Sequence, residues 1–111
     1  STTESQERVK EITSKAFELA ERDKIKEAIQ ELIKLDGVAI PIASTILAVK
    51  YPDKYAIIDV RVLKSLNKED WIKGDKYKKD PKTYEDYIFL MKKTKPQKMS
   101  LRDYERSLFE K

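Results

Sequence analysis

The chain is expected to fold as an all-α domain, a compact bundle of five or six helices built around one tight helical turn. Apolar residues recur at three- and four-residue spacing in segment after segment, which is the period of a helix face. Strict apolar/polar alternation, the mark of a half-buried strand, is absent throughout the 111 residues. Glycine and proline are scarce, 2 and 4 residues, and they fall between the periodic segments, where they act as helix stops and starts.

Thr3 followed by Gln6 reads as a capping box opening a first helix, whose Val9, Ile12, Ala16, Leu19 and Ala20 form one apolar stripe. Charged residues from Glu21 to Lys24 interrupt that stripe, and Asp23 is placed to cap the next helix. Ile25, Ala28, Ile29, Leu32 and Ile33 make the second stripe, which Gly37 stops by supplying a left-handed backbone. A third helix starts after about four residues. Pro41 suits its first turn, and Ile42, Ala43, Ile46, Leu47 and Val49 continue as its apolar run until Pro52 forces an exit. Tyr51 and Tyr55 flank that exit, expected to rest their rings on the core with the hydroxyls in water; stacking on a nucleic-acid base is the alternative. Asp59 precedes Val60, Val62, Leu63 and Leu66 and is a good N-cap for a fourth helix, so capping alone accounts for it. Residues 67–82 lose the apolar period and read as a long, lysine-rich loop with one short helical turn. Its functional version is a flap that tracks phosphates; the plain version tucks Trp71 against the helices. Thr83 with Asp86 is expected to cap the next helix, which buries Tyr87, Ile88, Leu90 and Met91. Ser100 with Asp103 opens the last, with Leu101, Tyr104, Leu108 and Phe109 inward.

Composition excludes several chemistries. With no Cys and no His there is no disulfide, thiolate or imidazole, so zinc centres and Ser–His or Cys–His catalysis are ruled out; no metal and no cofactor are expected. No apolar run approaches a membrane span and no signal peptide is recognisable, so a single cytoplasmic domain over residues 1–111 is expected, without a membrane partner. A charged fraction of 40% with few amides is the composition of heat-adapted proteins. Residues 1–36 hold 7 Lys/Arg against 9 Asp/Glu and the remainder 17 against 11, so a net +6 falls on residues 37–111. That skew favours a polyanionic partner, although a solvated lysine-rich surface would look the same.

Leu35, Asp36, Gly37, Val38, Ala39, Ile40, Pro41, Ile42 and Ala43 resemble the hairpin of the helix-hairpin-helix DNA glycosylase superfamily, L-x-G-V-G-x-K-x-A, at four anchor positions. Asp59, after Ile57 and Ile58, stands 18 positions beyond Pro41, the offset that family uses between its hairpin lysine position and its catalytic aspartate. The likeness covers about residues 25–66, with the hairpin at about 25–50, and more weakly the closing helix from Ser100. It implies a partner, nucleic acid and most simply duplex DNA, gripped without sequence preference at the hairpin of Gly37 by the backbone N–H groups of Val38, Ala39 and Ile40, with Lys34, Lys50 and Lys54 adding charge. It also implies an alternative, a monofunctional base-excision glycosylase with Asp59 as the catalytic carboxylate. Two departures matter. Ala39 replaces the second hairpin glycine, and Pro41 stands where bifunctional members carry a nucleophilic lysine, which excludes Schiff-base chemistry at that position. Glycosylases of this kind use two helical halves and this length holds one, so the enzyme reading implies a second helical half or a protein partner. A helical interaction module without nucleic-acid binding is the remaining alternative.

Overall fold

A computed structural model describes residues 2–110, with side chains from Ser5 to Glu110. The all-α expectation holds. Seven α-helices follow one another, α1 (Thr2–Glu21), α2 (Ile25–Leu32), α3 (Ile40–Lys50), α4 (Val60–Ser65), α5 (Lys76–Lys79), α6 (Pro81–Thr94) and α7 (Leu101–Phe109), with two single-turn 3₁₀ helices (Glu69–Trp71 and Lys73–Asp75) and no strand among the described residues. The count exceeds five or six because residues 67–80 fold into short turns rather than one loop, punctuated by the left-handed residues Asn67, Gly74 and Asp75.

α1 already runs from Thr2, ahead of the expected cap at Thr3, whose side chain lies outside the described residues. Its C-terminal half packs on α2 through Ala16, Ala20 and Ala28, all fully buried, and small residues there let the two backbones approach closely. Val9 is exposed, contrary to the expected stripe. A 20-residue helix is ~30 Å long and the 8-residue α2 only ~12 Å, so α2 cannot reach along the whole of α1 to cover Val9. Asp23 is not the cap of α2 either. It takes a left-handed conformation at φ 62°, which a short polar side chain tolerates, and Lys24 precedes the helix without a side-chain cap.

α2 ends at Leu32, so the connection to α3 is residues 33–39, longer than expected. Gly37 has φ 77°, as its position demanded, and a Cβ there would meet nothing within 4 Å, so conformation and not space requires glycine. Ala39 is the extended residue before α3 and Pro41 sits in its first turn. α3 departs most from expectation. Ile40, Ala43, Ser44, Leu47 and Ala48 face the core, whereas Ile42 and Val49 are 50% and 73% exposed and Ile46 is half-buried. The helix is apolar on every side, so periodicity did not reveal which side the core would take.

Beyond Pro52 the chain turns, and the hydroxyls expected in water are bonded instead. Tyr51 donates to the Phe17 carbonyl at 3.2 Å and Tyr55 to that of Ala20 at 2.7 Å, anchoring the turn on the last turns of α1. Trp71 packs partly on the core as the plain reading of the loop had it, with the Lys68 ammonium 4.9 Å from its ring centre. α6 begins earlier than expected. Asp80, not Thr83, is its cap, accepting from the Lys82 N–H at 3.1 Å and from the Thr83 hydroxyl at 2.9 Å, with Pro81 in the first turn, while Asp86 pairs with the Lys82 ammonium. α6 buries Tyr84, which the expected core omitted, beside Tyr87, Ile88 and Met91, and leaves Leu90 only half-buried. Ser100 caps α7 through the Asp103 N–H at 3.1 Å, as expected. Leu101, Tyr104 and Leu108 are buried, but Phe109 is 41% exposed with the Arg61 guanidinium 4.6 Å over its ring.

Candidate functional site

The groups expected to grip an anion are only partly gathered. The Val38 N–H is engaged, donating to the Leu35 carbonyl at 3.1 Å, and Ile40 is 0% exposed. Ala39 is exposed and its N–H makes no hydrogen bond among the described residues. The same holds for the exposed Gly37 before it and the exposed Ile42 in the first turn of the 11-residue α3, so these are donors left open at its positive end. Lys34 lies on the same turn and pairs with Glu31 at 2.6 Å. Lys50 and Lys54 are elsewhere. Ala39 to Lys50 spans the whole of α3, ~16 Å of rise, and at its far end Lys50 rests 5.4 Å over the Phe17 ring while Lys54 bonds the Glu21 carbonyl at 2.9 Å and pairs with Asp23 at 3.2 Å. Lys54 thereby serves the negative end of α1.

Asp59 has the expected place. Its Oδ1 accepts the Arg61 N–H at 2.8 Å and caps α4. The segment that delivers it, residues 55–59, is irregular and largely buried, so its backbone polar groups need partners, and side chains provide them. The Ala56 carbonyl accepts from the Tyr84 hydroxyl at 2.9 Å, and the Ile57 carbonyl from that of Tyr87 at 2.7 Å. The Ile57 N–H donates to Glu105 Oε1 at 2.8 Å and the Ile58 N–H to Ser44 Oγ at 3.1 Å, while the Ser44 hydroxyl donates to the Pro41 carbonyl at 2.7 Å. One buried hydroxyl therefore ties the first turn of α3 to the residue before Asp59. Burial pushes the Tyr84 and Tyr87 hydroxyls well above the ordinary tyrosine range, so both remain donors at any pH the protein experiences.

Asp59 also lines a cleft of about 490 Å³ between the C-terminal half of α3, the strap of residues 55–59 and α7. Val49, Pro52 and Phe109 form apolar walls, and Glu105, Arg102 and Arg106 come from α7. Sequence reasoning missed these three charges. A signal was present: Ser100 fixes the start of α7, and residues 102, 105, 106 and 109 then fall on one face by the i, i+3, i+4, i+7 rule, but nothing in the sequence joins that face to Asp59. Burial raises the Glu105 carboxyl above its ordinary range and Asp59 raises it further, while the Ile57 N–H and Arg102 hold it down.

Glu105 therefore binds its proton more tightly folded than unfolded. Its favourable contribution is full below the unfolded value and is lost as pH rises through that value to the folded one, above which the ionised carboxylate is a liability. Glu105→Gln keeps an acceptor for the Ile57 N–H and removes the charge. Its melting temperature is expected to gain on the wild type as pH rises from about 4 to about 7; parallel curves across that range would contradict the sign.

No family model matches the chain, and neither a curated protein nor a solved structure matches it.

Proposed function

We propose that this protein binds nucleic acid, duplex DNA in the simplest case, through the backbone of the turn before α3 and without reading sequence. The observation that carries this is the open Ala39 N–H at the start of α3, two residues after the left-handed Gly37 and on the same turn as the exposed Lys34. The likeness of residues 35–43 to a DNA-binding hairpin and the net +6 on residues 37–111 point the same way. With Lys50 and Lys54 engaged at the far end of α3, few phosphates are contacted and binding is weak. A labelled duplex is expected to bind in the non-specific range of roughly 10⁻⁴ to 10⁻⁶ M, equally for two unrelated sequences, and to weaken steeply with salt. Absence of binding at low salt, or affinity indifferent to salt, rejects the proposal; fluorescence anisotropy measures both.

The cleft favours a second reading, base excision with Asp59 stabilising a cationic sugar. An enzyme of that kind needs a concave place for an unpaired base beside its carboxylate, and Asp59 borders one about 490 Å³ in volume.

A further inference from the structure

Asp59 and Glu105 are held in the same way. Each carboxylate accepts one backbone N–H through one oxygen, Arg61 to Asp59 Oδ1 and Ile57 to Glu105 Oε1, both at 2.8 Å, and neither second oxygen has a hydrogen bond or ion pair among the described residues. Both line one cleft. Two anchored acceptors of like charge border one cavity, which Glu110, Arg102 and Arg106 also line, and each keeps one oxygen free to accept a donor, while the apolar walls from Val49, Pro52 and Phe109 suit the faces of a flat ring rather than a hydrated cation. No cluster of three or more potential metal ligands exists among the described residues. Arg102 and Arg106, one turn before and one residue after Glu105, line the same cleft and suit an anionic group attached to that ring.

We propose that the cleft selects an unpaired nucleotide whose base carries adjacent N–H donors, as guanine does at its ring N–H and exocyclic amine, with Glu105 as the specificity-determining acceptor. A carboxylate matches two such donors bidentately. Uracil and thymine present a single N–H between two carbonyl oxygens, which would face the carboxylates and be repelled. The proposal rests on the reading of the protein as one that meets nucleic acid, and adds which base the cleft would prefer.

The probes are guanosine and uridine 5′-monophosphate, titrated into the full chain and followed by the amide resonances of Ile57, Asp59 and Val49. Guanosine monophosphate is expected to shift them saturably and to bind about tenfold more tightly than the uridine nucleotide. Glu105→Gln, which keeps an acceptor for the Ile57 N–H and so the fold, is expected to bring the two within about twofold, and lowering the pH until Glu105 is protonated should do the same in the wild type. Equal affinity for both nucleotides, selectivity that survives Glu105→Gln, or no shifts with either would overturn the proposal. Duplex binding is measured separately. Salt-dependent duplex binding without guanine preference defeats this inference alone, and guanine preference without duplex binding defeats the duplex proposal alone.

Discussion

Leu47→Ala is expected to destabilise the protein by about 2–5 kcal/mol, while Val49→Ala, two residues along the same helix, should stay within about 0.5 kcal/mol of the wild type. Leu47 is fully buried among the core residues, so truncation removes its transfer free energy and leaves a cavity that neighbouring helices cannot fill. Val49 is 73% exposed and loses little that is not already in water. Chemical denaturation of both variants measures the contrast. Equal losses at the two positions would mean that the outward face of α3 is covered in solution, and no loss at Leu47 would mean that α3 is oriented differently about its axis.

Substitution at Asp59 separates cap from catalyst. Asp59→Asn should leave stability nearly unchanged, because asparagine is about as good an N-cap, whereas Asp59→Ala should cost about 0.5–2 kcal/mol. Under the base-excision reading, Asp59→Asn also removes the charge that stabilises the cationic sugar, and base release from modified DNA should fall by about 10²–10³-fold with the fold intact. Release that persists at the wild-type rate in Asp59→Asn excludes the carboxylate as the stabilising group. A wild type that releases no base leaves Asp59 with the cap alone. Melting curves and base-release assays on the same three preparations distinguish these cases.

Local punctuation was legible in the sequence wherever one residue decided it. Gly37 occupies a left-handed position, Pro41 the first turn of α3, and Asp59 and Ser100 the caps of α4 and α7, because each depends on backbone groups within three residues. At α6 the spacing of Thr83 and Asp86 pointed to the wrong cap, since Pro81 in the first turn fixes an earlier start with Asp80 before it. The open donor at Ala39 was likewise legible. Val38 and Ile40 read as open beside it in the sequence, but the Val38 N–H closes a local turn on Leu35 that spacing did not reveal, and the core buries Ile40. Lys50 stands the length of α3 away, and only the tertiary structure sets Lys54 against the end of α1.

The sequence by itself determined that this chain is helical, where most of its helices start and stop, and that imidazole and thiolate chemistry are absent, since those properties follow from hydrophobic period, caps and composition. Tertiary structure alone decided which side of α3 faces the core, that four tyrosine hydroxyls fasten α1 and the strap of residues 55–59, and that Glu105, 46 positions beyond Asp59, shares its cleft. The physical reason is range. A cap or a turn is a contact between residues adjacent in sequence, whereas a helix apolar on all sides has no preferred face until its neighbours arrive, and the meeting of α7 with the strap is fixed by how the whole core closes.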